Sequence, residues 1–365
     1  ESTSRLGFKG TEDLGGGTQA LFTIELGLSP DSTGASYSSS TTLSQPAVFG
    51  QVNRQTFVGL HKNGIGAATI GTQYTPVFDV QSITDAAGNN NLVGNAVYSG
   101  NLQSSSGTFN QGQGPYTTTT AGLNEVSSAY TTRVSNALKF QSDRISGLQG
   151  QLFYAQTNQN QTVGGTAFSG TTAGGSNNNT AWGVNLDYVW NKLQVVAATQ
   201  NIKSYDPANY TATTGTTGVA FAGGTANSFG TNISDQQTYA AGTYDFGILK
   251  SYLQYITRRA VSQQDGTYTT SRSAYQIGAR SQLTPTISAY ATMGLGKSQY
   301  LGQGNLGNNN FRTFQIGSDY NLSKRTNLYV AYGSFNQSSA GGTTVNASNT
   351  SVNGMNYALG VRHTF

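Results

Sequence analysis

The 365 residues are long enough to bury a large core, yet only 36% are hydrophobic, 47 are Gly, and the mean hydropathy is −0.37. That balance suits neither a helical enzyme nor a helical membrane protein, and no run approaches the roughly 18 apolar residues of a transmembrane helix. Charged residues are 9%, and a net charge of +4 is scattered rather than clustered, which argues against nucleic-acid binding. The 21 Tyr and 16 Phe argue against disorder, and the absence of Cys removes disulfides and thiolate metal sites.

The opening residues Glu1-Ser-Thr-Ser-Arg5 contain no basic-then-apolar leader, so any secretion signal has been removed or lies outside this stretch. Period-two alternation between turn residues then predicts strands over 4–10 and 18–28, with the Gly-rich 11–17 between them. Strands 54–62 and 67–74 meet across Asn63-Gly64, and 133–141 and 148–157 across 143–147. Further pairs are 180–190 with 193–203, 236–244 with 248–261, 267–283 with 286–301, and 311–322 with 327–335. The last strand is 352–365.

The two faces of these strands differ. Trp182, Val184, Leu186, Tyr188 and Trp190 alternate with Gly183, Asn185 and Asp187, and Ile287, Ala289, Ala291, Met293 and Leu295 with Ser288, Tyr290, Thr292 and Gly294. Lipid outside and water inside account for both sets. A wet interior lined by neutral Ser, Thr, Asn, Gln and Gly accounts for the composition. Trp190, Tyr188, Tyr320 and Tyr332 lie near strand ends, where interfacial aromatic girdles form. Fifteen strands is an odd count, whereas bacterial single-chain barrels have even ones; a further strand before Glu1 is expected. Alternation stops for more than fifty residues after Tyr74, well beyond the roughly 12 to 15 of an ordinary loop. Its acids are Asp79, Asp85 and Glu125.

Four motifs carry a family resemblance: Ser4-Arg-Leu-Gly-Phe-Lys-Gly-Thr-Glu-Asp-Leu-Gly-Gly-Gly17, Asn53-Arg-Gln-Thr-Phe-Val-Gly-Leu60, Ile70-Gly-Thr-Gln-Tyr-Thr-Pro76 and Gly360-Val-Arg-His-Thr-Phe365. In combination they resemble the general diffusion porins of Gram-negative outer membranes, most closely the beta-proteobacterial branch. The resemblance implies a 16-stranded antiparallel transmembrane β-barrel, one barrel over 1–365, with 4–10 as its second strand and 75–132 as a pore-constricting loop. It implies a homotrimer surrounded by outer-membrane lipid and lipopolysaccharide, no cofactor, and passive diffusion of small hydrophilic solutes. It also implies a basic ladder at Arg5, Arg54 and Arg133 opposite the loop, and an assembly signal at Phe365 for the barrel-insertion machinery. Gln73 stands where many relatives would have Arg.

Parity supports most of that ladder. Leu6 and Phe8 face lipid, so Arg5 and Lys9 face water; Leu138 and Phe140 face lipid, so Arg133 and Lys139 face water. Arg54 is ambiguous: Phe57 favours an inward Arg54, whereas Val58 and Leu60 share its parity. Arg258, Arg272, Arg280 and Lys250 also have inward parity. An excess of these cations over Asp79, Asp85 and Glu125 predicts a preference for anions. Two alternatives stay open: an outer-membrane barrel enzyme, and a pore specific for a solute such as phosphate or an organic acid. His61 and His363 lie in different strands with no ligand set around them, and no Gly-x-Ser-x-Gly elbow opens a helix.

Overall fold

The computed structural model describes residues 4–28, 52–90, 92–98, 130, 132–162, 174–206, 231–262, 269–301, 308–338 and 352–365. It contains fifteen strands: β1 Ser4–Gly15, β2 Thr18–Leu28, β3 Val52–Lys62, β4 Gly66–Tyr74, β5 Arg133–Ser142, β6 Leu148–Thr162, β7 Gly174–Trp190, β8 Leu193–Asp206, β9 Thr231–Asp245, β10 Lys250–Ser262, β11 Thr269–Gln282, β12 Ile287–Leu301, β13 Asn308–Asn321, β14 Thr326–Gln337 and β15 Val352–His363. Among the described residues a single helix, α1, spans Pro76–Ile83. All fifteen expected strands are present. They form one antiparallel sheet in chain order, with β1 and β15 as its edges. The expected sixteenth strand concerns chain outside Glu1–Phe365. No helix among the described residues is long and apolar enough to cross a membrane; the strands cross it, with backbone groups paired to their neighbours.

Alternation fixes which side of the sheet is which. On β7, Trp182, Val184, Leu186, Tyr188 and Trp190 are exposed, while Asn185 and Asp187 are buried. The same pattern runs along β12, where Met293 and Leu295 are exposed and Ser288, Tyr290 and Thr292 are buried. The exposed apolar row is the lipid face, and the buried polar row is the interior.

Two bulges break the alternation near β3 and β5. Glu25 pairs with Gln55 and Leu26 with Asn53, which leaves Arg54 as the extra residue on β3. An extra residue bends the strand and re-aims a side chain, and here it turns Arg54 inward to Glu25. The ambiguity at Arg54 is thus removed by the bulge, and Phe57 faces inward beside Thr23 rather than toward lipid. The second irregularity lies between Gly71 and Gln73 of β4 opposite β5. There the buried Gln73 amide donates to the carbonyls of Ala137 at 3.0 Å and Thr69 at 3.2 Å, filling in for lost ladder bonds.

The ends of the sheet are unequal. At one rim, short turns join the strand pairs, and backbone bonds link adjacent turns: Asn63 N to Gly17 O, Asp143 N to Ile65 O, Val189 N to Gly147 O, Asp245 N to Lys192 O, Asn321 N to Thr286 O and Thr364 N to Arg325 O. His61 joins Asp143 at 2.9 Å, and Arg144 pairs with Asp187. The long connections all leave the opposite rim.

Leu152 is 59% exposed and lies between Phe140 and Val184 on the lipid face. Leu152→Arg is expected to destabilise the fold in phospholipid bilayers by about 2 to 4 kcal/mol. The inward Thr23→Arg should change stability there by less than about 1 kcal/mol. Urea titration of both variants in the same vesicles checks the difference, and equal losses would contradict the assignment of faces.

Candidate functional site

After Tyr74 the chain leaves the sheet and runs along its inner wall. Thr75 N donates to Thr132 O at 3.0 Å, closing the base of the segment. Pro76 occupies the first turn of α1, where its missing N–H costs nothing. Val77 and Val80 are buried against Val196, Ala198, Tyr239 and Ile256 of β8 to β10. Residues 92–97 are all buried as well, with Phe311 and Phe335 of β13 and β14 in the same cluster. This half of the interior is therefore a packed core, not the wholly wet space that composition implied. Apolar side chains can point inward here because the segment covers them.

A backbone segment inside a barrel needs partners for its N–H and C=O groups. The wall supplies them from side-chain amides. Val77 N donates to Gln200 Oε1 at 3.0 Å and Ala96 N to Gln276 Oε1 at 2.7 Å. Gln315 Nε2 donates to the carbonyls of Leu92 and Val93 at 2.8 and 3.0 Å, and Asn185 Nδ2 donates to Pro76 O at 3.0 Å. These glutamines interlock: Gln200 donates to Gln237 at 2.7 Å and Gln276 to Gln254 at 2.8 Å. Arginines add donors, with Arg272 on Ala96 O and Arg280 on Ala86 O. Two glycines make the close approach possible, since a Cβ on Gly294 would collide with Ala96 and one on Gly333 with the Val93 carbonyl.

Asp85 organises the turn within this segment. Its carboxylate accepts from the backbone amides of Asn89 at 2.8 Å and Ala87 at 3.3 Å, from Asn95 Nδ2 at 3.1 Å and from Gln276 Nε2 at 3.4 Å. Burial pushes the Asp85 carboxyl above the usual carboxylate range, against the pull of the Asn89 and Ala87 amides. The structure thus places Asp85 under the segment, at the edge of a cavity of about 250 Å³ that Arg280, Tyr290 and Asp319 also line.

The segment occupies the β6 to β14 side, and the β1 to β5 side stays open. A cavity of about 520 Å³ lies there, lined by Lys9, Thr23, Gln55, Phe57, Thr69, Gln73 and Lys139 among others. Arg5 and Arg54 both reach Glu25, at 3.5 and 2.6 Å. Arg54 Nη2 also donates to Tyr74 Oη at 2.9 Å, and the Arg133 guanidinium lies over the Tyr74 ring at 5.7 Å. Tyr74 in turn packs on Phe78 of α1, with ring centroids 4.3 Å apart. Further along β5, Lys139 pairs with Asp79 at 2.6 Å, and Gln151 donates to the same carboxylate at 2.9 Å.

Arg5, Arg54 and Arg133 thus come together, and Lys139 meets Asp79. Lys9 is exposed on the open wall, and no ion pair involves it among the described residues. Glu125 lies outside the described residues. Sequence reasoning missed Glu25, although its inward parity between Ile24 and Leu26 was legible. It also missed the glutamine belt, whose only trace is repeated inward Gln. Deeper in the wall, Arg258 holds Asp235 at 2.7 Å and Arg280 holds Asp319 at 3.2 Å, so most inward arginines of β10 and β11 do not face the opening.

No curated protein matches the chain in sequence. The family model for Gram-negative porin matches residues 1–340. Among solved structures, the anion-selective porin of Comamonas acidovorans superposes with a TM-score of 0.65 at 19% identity, covering 100% of this chain and 90% of that one. The trimer form of OmpT, an outer membrane protein of Vibrio cholerae, gives 0.60 at 12% identity over 99% and 91%. OmpF of Salmonella typhi in complex with daunomycin gives 0.57 at 14% identity over 99% and 89%. At these identities the likeness speaks for the fold.

Gly333→Val is expected to lift residues 92–97 off the wall while leaving the sheet intact. New cleavage by a protease within 84–98, with unchanged far-ultraviolet dichroism, checks this. Protection equal to wild type would show that the glycine is dispensable for seating the segment.

Proposed function

The chain belongs to the Gram-negative porin family and is a passive channel of the outer membrane, and we propose that it passes small hydrophilic solutes with a preference for anions, the 75–132 segment narrowing the passage. One observation carries the preference. On the open wall, Arg5, Lys9, Arg54, Arg133 and Lys139 face only two carboxylates, Glu25 and Asp79, among the described residues. Net positive charge in a low-dielectric constriction attracts anions and raises the entry cost of cations, and salt screens both effects. Glu25 neutralises part of the cluster, so the excess is smaller than a count of arginines suggests.

The aromatic belt supports a homotrimer. Tyr and Trp mark the lipid interface on the outer face of β6, β7, β11 and β13 to β15, as at Tyr154, Trp182, Tyr188, Tyr275, Tyr320, Tyr332 and Tyr357. The outer face of β1 to β4 carries Leu6, Phe8, Phe22, Ile24, Val58, Leu60 and Ile70 and no Tyr or Trp. An apolar face lacking interfacial aromatics suits contact with another subunit. Phe365, fully exposed at the short-turn rim beyond β15, stacks edge-on with His363 at 4.7 Å. There it is open to the barrel-insertion machinery. Outer-membrane lipid and lipopolysaccharide surround the rest.

Two measurements test these readings. The reversal potential across a potassium chloride gradient should be that of an anion-preferring channel. Arg5→Ala with Arg133→Ala should move it toward cations, and Glu25→Gln should move it further toward anions. A cation-selective wild type, or no shift in either variant, would overturn the charge mechanism and leave the channel assignment standing. In semi-native electrophoresis the wild type should migrate as a heat-resistant trimer, Val58→Arg as a folded monomer, and deletion of Phe365 should reduce the amount of folded protein in the membrane. A trimeric Val58→Arg or undiminished folded protein without Phe365 would refute the corresponding assignment.

A further inference from the structure

Four aromatic rings stand at the seam where the packed side of the interior meets the open side. Tyr74 ends β4, Phe78 lies on α1, and Tyr98 and Tyr130 belong to the inserted segment. Ring centroids are 4.3 Å apart from Tyr74 to Phe78, 6.3 Å from Phe78 to Tyr98 and 6.0 Å from Tyr98 to Tyr130, the spacing of interacting aromatic pairs. Phe78 and Tyr98 pack against the buried cluster of the covered side, while Tyr74 takes a hydrogen bond from Arg54 on the open side. Tyr130 is buried, whereas Tyr74, Phe78 and Tyr98 are partly exposed. An anchor for the base of the segment needs the buried ring and the ring on α1. It does not need polar ends left open beside the passage.

Two such ends are present. The Arg133 guanidinium lies over the Tyr74 ring at 5.7 Å and makes no ion pair or hydrogen bond among the described residues. The Tyr98 hydroxyl likewise has no hydrogen-bond partner among them, although the hydroxyls of Tyr74 and Tyr130 are both engaged, with Arg54 at 2.9 Å and Gln81 at 2.6 Å. Burial pushes the Tyr98 hydroxyl above its ordinary range, against the pull of Arg133 and Arg54. It therefore stays an O–H donor, close to both guanidiniums. Glu25 is taken by Arg54 and Arg5, so the donors of Arg133 are left for a solute. A ring face steadies a guanidinium without cancelling its charge, and the planar fork matches a carboxylate.

We propose that this seam selects, among anions, carboxylates that carry a planar aromatic ring. The carboxylate meets the Arg133 fork and the Tyr98 hydroxyl, and the ring of the solute packs on the open faces of Tyr98 and Phe78. Chloride or a short aliphatic acid would use the cation and leave the rings idle. A neutral aromatic solute would use the rings and leave the cation idle. A solute with both parts gains an aromatic contact and a charge-assisted hydrogen bond together, so it dwells longest at the seam. The inference deepens the anion-preferring reading of the open wall and rests on it.

The test uses the full-length protein in planar phospholipid bilayers and reads transient block of the chloride current by benzoate, with acetate and benzyl alcohol as comparison solutes. In the wild type, benzoate is expected to reach half-block at a concentration roughly tenfold below that of acetate, and benzyl alcohol should not block. Y98L should weaken the benzoate block roughly tenfold and bring it level with acetate. R133Q should weaken it by at least about tenfold. Equal block by benzoate and acetate in the wild type overturns the proposal. So does a benzoate block unchanged in Y98L or in R133Q, or benzyl alcohol blocking as strongly as benzoate. If Y98L does not insert, Y98F decides, with an expected loss of roughly threefold, and an unchanged block overturns the proposal. The wild-type reversal potential in potassium chloride alone reports the anion preference separately. A channel that prefers anions yet treats benzoate and acetate alike refutes this site only, and one that binds benzoate without preferring anions refutes the charge reading only.

Discussion

A polypeptide segment that leaves a sheet and enters its interior must find a partner for each backbone N–H and C=O. Here the wall provides them as neutral amides. Gln200, Gln276 and Gln315 bond the segment directly, and Gln237 and Gln254 brace them. Amide dipoles are satisfied without introducing net charge, so one side of the interior can be packed with Val77, Val80, Val93 and Val97 while the other remains polar. The location of the open side follows from which wall the segment occupies.

That separation decides what the charges can do. On the covered side, Arg258 and Arg280 have carboxylate partners and Arg272 grips a backbone carbonyl, so they act on the packing of the wall. On the open side, Glu25 is shared by Arg5 and Arg54, while Arg133 rests on an aromatic ring. A ring face attracts a cation without cancelling its charge. The field along the opening is therefore set by how Glu25 and Asp79 are distributed among five cations, not by the number of arginines alone.

The strands were legible because side-chain alternation is local: Trp182 to Trp190 shows its two faces without knowledge of β6 or β8. Lys139 was placed inward by the same rule, whereas Arg133 lies beyond the irregularity opposite Gly71 and Gln73, where alternation no longer decides. Arg54 was not placed by it either, because the bulge that turns it depends on how β3 registers against β2, and register is not written in either strand alone. The glutamine belt was missed for a related reason. An inward Gln looks the same whether it meets water or the backbone of a segment 180 residues away, as Gln276 meets Ala96. Asp85 could be identified as an acid of the long loop, but its burial required the turn at 85–90 to be folded.

The bonded rim has a consequence for how such a chain can change over time. Strand order and register are already fixed at the end where turn is joined to turn, from Asn63 on Gly17 to Thr364 on Arg325. Residues gained, lost or exchanged in the connections between one short-turn pair and the next need not alter that registration. The chain thereby separates a registered frame from its connections, which can diverge while the wall that holds the passage stays the same.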